Sequence, residues 1–210
     1  MSPGPRPGPP HMGIVTTSAS VSVDGFIAHD DDTPGHLFDW YGSGDVEVPN
    51  AGDLPPFRLS RASADHWTTW RASLGALVVG RRLFDLTDGW HGVHPLGVPV
   101  VVLTHEPPRD WQWAGPSTTF VTTLGDAVAT AQELAGDAVV GLAAGTVAGQ
   151  ALAAGLLDRV DMDLVPVVLG SGRRYFGDVR LDTVLLGDPT VRVQGDRVTH
   201  LSFPVRAAGR

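Results

Sequence analysis

Short apolar runs alternate along the chain with segments in which apolar residues return every three or four positions. The runs at 76–79, 98–103 and 138–142 are continuous, a pattern typical of strands that are buried on both faces of a sheet. Residues 14–23 instead alternate loosely between apolar and polar side chains. They predict a first strand that ends at the turn Asp24-Gly25.

The first predicted helix follows a long connection rich in Asp, Gly and Pro over residues 29–57. Ser60 is placed to cap this helix, and Trp67, Trp70 and Leu74 keep helical spacing up to Gly75. A connection as long as 29–57 is unusual in a compact domain and is often functional. One short helical turn is expected within it, at residues 37–41.

Two further helices are predicted in the second half of the chain. The segment 123–126 resembles a capping box and precedes a helix that presents Val128, Ala131 and Leu134 on one face. The last helix covers 147–154 and is followed by Gly155 as its C-terminal cap.

The chain closes with a strand over 160–169 and a pair of antiparallel strands over 184–205, joined near Gly195-Asp196. Strands that alternate with helices, followed by a terminal hairpin, predict an α/β domain. Its central sheet is expected to be mostly parallel with an antiparallel C-terminal edge.

Composition narrows the functional classes. The net charge is −8, the isoelectric point is about 5.3 and there is no Lys, so a nucleic-acid partner is not expected. There is no Cys, which excludes disulfides and thiol chemistry and fits a cytoplasmic protein. No apolar run approaches the ~20 residues of a membrane span. Residues 1–12 are predicted to be a disordered Pro/Gly-rich tail before a single domain over 13–208.

Three strand ends are candidates for ligand binding, because ligands of open α/β sheets bind beyond the carboxyl ends of the strands. They are the segments Gly80-Arg81-Arg82, Thr104-His105 and Ala144-Gly145-Thr146. The third opens a helix, whose N-terminal N–H groups suit a phosphate, and arginines bind phosphate in bidentate fashion. The alternative is that these glycines are only turns and these arginines only solvated.

Other residues are candidates for substrate contact or proton transfer. Trp40 and Trp90 are expected to flank the cleft, and Gly170 and Gly172 lie in a loop that either faces a ligand or is a structural turn. Asp24 and Asp39 are the best-placed carboxylates, although Asp24 before Gly25 also suits a turn.

Metal and hydrolase chemistry have little support. His91, His94 and His105 are close in sequence, but no acidic residue accompanies them at a matching spacing, so no metal site is expected. The G-x-S-x-G motif of serine hydrolases, the G-x-G-x-x-G dinucleotide fingerprint and the P-loop motif are all absent.

Several motifs, taken in order, resemble those of the dihydrofolate-reductase-like proteins related to the C-terminal reductase domain of bacterial riboflavin biosynthesis. They are SVSVDGFIA at 20–28, VGRRLFD at 79–85, LTDGW at 86–90, PVVVLTH at 99–105, AGLLD at 154–158 and LVPVVLGSG at 164–172. The resemblance covers residues 13–205, and each motif alone is weak.

The resemblance implies a three-layer fold with a central sheet flanked by helices, and NADPH as hydride donor. The cofactor contacts that it implies are Gly80, Arg81, Arg82, Thr104, His105, Ala144, Gly145 and Thr146. Two positions depart from the family pattern. Ala144 stands where the first of two consecutive glycines is usual, so its Cβ crowds the place where the backbone approaches the pyrophosphate, and Leu83 replaces a usual Thr.

The resulting hypothesis is a reductase that transfers a hydride from NADPH to a C=N, C=C or C=O bond of a small, heterocyclic substrate. The proton would come from water, Asp24, Asp39 or Ser22, and the 29–57 connection would shape specificity. Two alternatives stay open: a protein that binds a metabolite without turnover, and a non-redox cyclase or isomerase of secondary metabolism. A homodimer is expected because relatives of this type often dimerise.

Overall fold

An eight-stranded sheet runs through the centre of the protein, and the computed structural model describes residues 13–206. The strand order is β11-β12-β9-β1-β8-β5-β6-β7. The strands are β1 (Val15–Ser22), β2 (Phe26–Ala28), β3 (Val46–Val48), β4 (Phe57–Leu59), β5 (Leu74–Gly80), β6 (Val100–Leu103), β7 (Thr118–Val121), β8 (Val139–Ala143), β9 (Arg159–Val165), β10 (Arg173–Arg174), β11 (Val191–Gly195) and β12 (Val198–Pro204).

Four α-helices connect or cover these strands. They are α1 (Arg61–Ser73), α2 (Arg81–Leu86), α3 (Leu124–Ala135) and α4 (Thr146–Ala153), and two 3-10 helices lie at Gly35–Gly42 and Asp88–Gly92. None of the helices within residues 13–206 is long and apolar enough to cross a membrane.

The predicted sheet is confirmed in both its parallel and its antiparallel parts. Strands β9, β1, β8, β5, β6 and β7 pair in parallel, whereas β12 pairs antiparallel with both β9 and β11. Val78, Val101 and Val140 are fully buried, as the continuous apolar runs predicted for strands covered on both faces.

The two faces of the sheet are covered differently. On one face, α3 and α4 pack Ala131 and Ala151 against the apolar residues of β5, β6 and β8. The opposite face carries α2 over β5 and β6, and α1 over β9 and β12. Beneath α1 the sheet presents serine, aspartate and histidine side chains instead of apolar ones.

Local predictions succeeded where capping chemistry was clear. Ser60 accepts a hydrogen bond from the Ser63 N–H, and Thr123 accepts one from the Asp126 N–H, so both predicted caps are present. Gly155 follows α4 with a φ of +67°, a conformation that favours glycine.

Other boundaries differ from prediction. The strand predicted over 160–169 ends at Val165, because Pro166 lacks the N–H that would continue the ladder. Leu134, predicted on the buried face of α3, is exposed. The predicted tail at 1–12 and positions 207–208 of the predicted domain lie outside the described residues.

Candidate functional site

A cavity of about 710 Å³ lies at the carboxyl ends of β5 and β8, the edge of the sheet at which ligands of α/β proteins bind. The first turns of α2 and α4 form its floor, and β2 with the segment 31–38 forms one wall. The loop 172–178 closes the other side. The lining residues are Ile27, Ala28, Asp31, Asp32, Thr33, Pro34, Phe38, Gly80, Arg82, Leu83, Leu86, Thr87, Ala143, Ala144, Gly145, Thr146, Val147, Gly172, Arg173, Arg174, Gly177 and Asp178.

The two helices that begin at this cavity lack side-chain caps. Gly80 precedes α2 and Gly145 precedes α4, and neither helix start has a capping hydrogen bond from a side chain. The helices α1 and α3, which begin elsewhere, are capped by Ser60 and Thr123. Helix N-termini carry unsatisfied N–H groups and partial positive charge, so both uncapped ends are suited to an anion in the cavity.

The backbone of loop 172–178 packs closely against the backbone of β2 and of the start of α4. A Cβ at Gly172 would overlap the carbonyl of Ala28, and one at Gly177 would lie 2.8 Å from the Thr146 N. The N–H of Gly145 donates to the Tyr175 carbonyl at 2.7 Å, which ties the start of α4 to the same loop. Glycine at these positions therefore lets three segments meet without side chains between them.

An ion-pair network lies at the rim. Arg82 donates from Nε to Asp32 Oδ1 at 2.8 Å and from Nη2 to Asp32 Oδ2. Arg173 donates to the same Oδ1 at 3.0 Å and to the Asp30 carbonyl at 2.9 Å. The hydrogen bond from Arg82 is the main cause that lowers the pKa of Asp32, and it raises the pKa of Arg82 in turn. Asp32 is therefore a carboxylate anchored between two arginines.

The predicted cofactor residues divide into two groups. Gly80, Arg82, Ala144, Gly145 and Thr146 all line the cavity. The three others, Arg81, Thr104 and His105, lie outside its lining.

Arg81 is turned away from the cavity. Its Nε donates to Asp85 Oδ1 at 2.7 Å, one helical turn along α2, and its Nη1 donates to the Glu106 carbonyl. Thr104 is buried and its hydroxyl donates to the same Glu106 carbonyl at 3.1 Å, while His105 is exposed. The side chains of Arg81 and Thr104 therefore hold the end of β6 beside α2.

The predicted substrate residues are also divided. Gly172 lines the cavity, whereas the Gly170 N–H donates to Asp24 Oδ2 at 2.7 Å. Trp90 is half-buried against His94, with ring centroids 4.2 Å apart. Trp40 is 0% exposed and donates from Nε1 to Ser20 Oγ at 3.0 Å, so it lies in the core beneath α1.

The three predicted proton donors lie outside the cavity lining. The Asp24 carboxylate accepts from the N–H groups of Leu169 and Gly170, and its pKa is lowered to about 2, chiefly by a hydrogen bond from Ser22 and also by these N–H groups. Ser22 is buried and accepts from the Phe26 N–H at 2.9 Å. Asp39 is exposed and pairs with His36 and Arg197.

Several lining residues escaped the sequence analysis. Phe38 and Leu86 supply apolar surface, and Arg174 supplies a guanidinium that pairs with no carboxylate within residues 13–206. Gly172 was a signal for Arg173 and Arg174, since its close packing against the Ala28 carbonyl fixes the residues that follow. No spacing signal connects Asp32 with Arg82, because they meet only through the fold.

Comparison with known proteins adds the family. The model of the RibD C-terminal domain matches residues 14–202. A search of curated protein sequences gave no match. A protein from Shewanella sp. PV-4 assigned to riboflavin biosynthesis has a similar fold, with 19% identity and a TM-score of 0.63 over 92% of this chain and 99% of that one.

Two enzymes of known structure are similar as well. A diaminohydroxyphosphoribosylaminopyrimidine deaminase/5-amino-6-(5-phosphoribosylamino)uracil reductase from Thermotoga maritima is 12% identical, with a TM-score of 0.61 over 93% of this chain and 57% of that one. A dihydrofolate reductase from Enterococcus faecalis, solved with NADP(H), is 15% identical, with a TM-score of 0.55 over 93% and 98% of the two chains. At these identities the structural likeness concerns the fold.

Proposed function

Since the chain belongs to the family of RibD C-terminal domains, we propose that it is an NADPH-dependent reductase of a small heterocyclic substrate. The family match spans residues 14–202 and so includes every element around the large cavity. The names of the two similar enzymes, a 5-amino-6-(5-phosphoribosylamino)uracil reductase and a dihydrofolate reductase, give substrates that contain a nitrogen heterocycle, which supports the substrate class.

The observation that carries the proposal is the pair of uncapped helix starts at one cavity. Dinucleotide cofactors contain several phosphates, and the N-termini of α2 and α4 both lie in the lining. The volume of about 710 Å³ falls within the usual range for cofactor and ligand pockets, roughly 300–1,000 Å³.

The residues present fit this cofactor in most respects. Gly80 and Thr146 would receive phosphates through backbone N–H groups, and Arg174 would add a guanidinium. The Cβ of Ala144 and the engagement of Arg82 by Asp32 weaken the fit, so we expect moderate affinity. When bound, NADPH supplies the hydride, and the protein supplies orientation and a suitable electrostatic environment.

The chain's own contribution is to orient the substrate and to limit its contact with water. Ile27, Phe38 and Leu83 provide an apolar wall against which a flat ring can pack. We assign the proton to solvent. The pKa values of Asp31 and Asp32 are lowered by hydrogen bonds from Thr33 and from Arg82, respectively, so both carboxylates are ionised at neutral pH and neither is a good acid.

Isothermal titration of the full chain with NADPH and with NADH tests the proposal. We expect NADPH to bind with micromolar affinity. Thr146→Asp should weaken it at least tenfold, or about 1.4 kcal/mol, because it puts a carboxylate at the first residue of α4. Gly125→Asp is the matched control, since it adds the same charge to the first turn of α3, outside the cavity lining.

Two results would contradict the proposal: no binding of either nucleotide, or equal effects of the two variants. Absence of binding would favour a second candidate, a non-redox enzyme or a ligand-binding protein that uses the same cavity. The ion pair between Asp32 and Arg82 is the observation that favours this candidate, because it already satisfies a guanidinium that a phosphate would need.

A further inference from the structure

The sheet face beneath α1 carries an unusual ladder of polar side chains. The register of β1, β9 and β12 aligns two rows across these strands. The first row is Ser18, Asp161 and Ser202, and the second is Ser20, Asp163 and His200. Both aspartates and His200 are buried, which is costly for ionisable groups unless they are paired or bind a metal ion.

A second cavity, of about 250 Å³, is lined by residues of both this ladder and α1. The helix contributes His66, Trp67 and Trp70 to its lining, and the sheet contributes Asp161 and Asp163. It shares no lining residue with the larger cavity. Its chemistry can therefore be considered independently of the proposed reductase site.

The two aspartates differ in how fully they are satisfied. Asp161 pairs with Arg159 at 3.0 Å and accepts from Thr16 at 2.8 Å, from Trp70 Nε1 at 3.1 Å and from Ser202. Its charge is thus offset and its oxygens are occupied. Asp163 has one partner, His200 Nδ1 at 2.6 Å from Oδ1, and its second oxygen accepts no hydrogen bond from residues 13–206.

Two imidazoles lie beside Asp163. His200 is 0% exposed, and its Nε2 lies 2.9 Å from Ser63 Oγ. The ring of His66 stacks on that of His200, with centroids 4.5 Å apart, and no hydrogen bond from the described residues reaches its nitrogens. One ligand atom each from His66, Asp163 and His200 can be chosen so that all lie within 4.8 Å of one another.

We propose that His66, Asp163 and His200 bind a divalent transition-metal ion such as Zn²⁺. Zinc takes imidazole nitrogen and carboxylate oxygen at about 2.0–2.2 Å, and two histidines with one carboxylate form a common donor set for such ions. Small rotations of these side chains bring the three ligand atoms, which lie within 4.8 Å of one another, to about 2.0–2.2 Å from a single ion. The remaining coordination positions face the cavity and are open to water.

Binding needs only a change of tautomer. In the metal-free protein the single N–H of a neutral His200 donates from Nδ1 to Asp163 Oδ1; when the ion takes Nδ1, this proton moves to Nε2 and no proton is released. The other ring nitrogen of His200 then donates to Ser63 Oγ, an outer partner that fixes the imidazole orientation. Two neutral imidazoles and one carboxylate carry a charge of −1, which offsets half of the charge of the dication.

The alternative is that Ser63, His200 and Asp163 form a hydrogen-bond chain with a purely structural role. This alternative accounts for fewer of the polar groups around the cavity than a metal site does. It leaves His66 and one Asp163 oxygen without hydrogen bonds in the described part of the chain. It also leaves the indole N–H of Trp67, a residue only 9% exposed that lines the cavity, without a hydrogen-bond partner among residues 13–206. A metal-bound water in the cavity would give this N–H an acceptor. Nucleophilic catalysis by Ser63 is excluded sterically, because Ser63 is 1% exposed.

The test is titration of the metal-stripped full chain with Zn²⁺ by calorimetry and with Co²⁺ by visible absorption. We expect one equivalent to bind, with d–d bands typical of nitrogen and oxygen ligands and quenching of fluorescence from the nearby Trp67 and Trp70. Zinc at about a hundredfold excess over Kd should raise the Tm by about 5 °C.

Metal affinities of substituted proteins identify which side chains bind the ion. His66→Gln should lower the affinity about 100-fold while the fold is kept, because this half-buried side chain makes no hydrogen bond within residues 13–206. Asp163→Asn should also lower the metal affinity about 100-fold. Ser63→Ala should lower it about tenfold, because it removes the hydrogen-bond partner that orients His200. His36→Gln, at an exposed histidine of the 3-10 helix Gly35–Gly42, is the control and should bind normally.

The proposal is overturned if neither ion binds at millimolar concentration, or if His66→Gln and His36→Gln bind equally well. Neither result bears on NADPH binding, which is measured at the other cavity. Failure of this inference and failure of the proposed reductase function are therefore distinguishable.

Discussion

Asp32 and Arg82 form a bidentate ion pair across the rim of the large cavity, with Arg82 Nε 2.8 Å from Asp32 Oδ1 and Nη2 bonded to Oδ2. Arg173 donates to the same carboxylate. Asp32 has a φ of +69°, an uncommon conformation for a residue with a side chain, so the loop is held in place by these contacts. An anion that enters the cavity competes with this carboxylate for two guanidinium groups.

Asp32→Asn should therefore strengthen the binding of NADPH. The change removes a negative charge from the rim and frees Arg82 for a phosphate, so we expect Kd to fall about tenfold, with a steeper dependence on salt. Asp65→Asn removes the same charge from the exposed Arg61–Asp65 pair on α1 and should change Kd by less than about twofold. Weaker binding by Asp32→Asn would mean that Asp32 positions the arginines for the ligand.

The Cβ of Ala144 gives a second prediction at the same cavity. If it keeps the pyrophosphate from the backbone, Ala144→Gly should raise the affinity for NADPH about tenfold, at a cost in stability of roughly 0.5–1 kcal/mol. Ala153→Gly, at the exposed far end of α4, is a control for added flexibility and should leave the affinity unchanged. Equal affinities of Ala144→Gly and the unmodified chain would remove Ala144 as an obstacle.

Because Trp40 is buried, we expect it to have a structural role and not to contact the substrate. Trp40→Ala should cost about 3–5 kcal/mol in the free energy of unfolding, measured by urea denaturation, because it empties a fully buried site. Trp40→Phe should cost less and leave ligand affinity within about twofold of the original. Trp113→Phe, at a tryptophan 41% exposed, should change neither quantity. A large loss of ligand affinity in Trp40→Phe would restore the predicted substrate role.

His94 should make the protein less stable in mild acid. Burial lowers the pKa of His94 to about 4, and its Nδ1 accepts from the Leu96 N–H, so the folded protein keeps it neutral. Between about pH 6.5 and 4 the unfolded chain binds this proton and the folded chain does not. Stability is therefore complete above pH 6.5 and falls as the pH is lowered through this window, by up to about 3 kcal/mol.

The measurement is the free energy of unfolding at several pH values. His94→Asn removes the titrating group, so its stability should change less between pH 6.5 and 4 than that of the unmodified chain. His105→Asn, at an exposed histidine, should keep the original slope. Parallel curves for all three proteins would show that His94 is not the group responsible.

The fold could be predicted from sequence because its signals are local. The apolar runs of β5, β6 and β8 and the caps at Ser60 and Thr123 each depend on a few neighbouring residues, and the structure confirms them. The extent of β9 could not be predicted as well, because Val167, Val168 and Leu169 continue its apolar character beyond Pro166.

The sequence predicted which strand ends form the candidate site, but it did not predict the direction in which the side chains point. Arg81 and Arg82 are adjacent and chemically identical, yet only Arg82 lines the cavity, because Asp85 one turn along α2 engages Arg81. Trp40 was expected beside the cleft because its segment borders it. Its ring is buried beneath α1 instead, since Ser20 offers its indole N–H an acceptor.

The histidine cluster shows a different limit. His91, His94 and His105 attract attention in the sequence because they are close together, but in the structure His91 pairs with Asp53 and His94 packs against Trp90. His66, Asp163 and His200 are separated by more than thirty positions each, and only the pairing of β9 with β12 and the packing of α1 bring them together. The spacing of residues along a chain can reveal metal ligands that lie on one secondary-structure element. It cannot reveal ligands that come from three different elements.

The glycine contacts in the wall of the large cavity bear on how this protein can change over evolutionary time. Gly172 and Gly177 each lie where a Cβ would meet backbone of a neighbouring segment, so substitutions there disturb the fold before they alter ligand choice. New specificity must therefore arise on the opposite wall, where Thr33 and Phe38 present exposed side chains from a loop. Backbone packing constrains substitutions on one side of the cavity, and the other side has no such constraint.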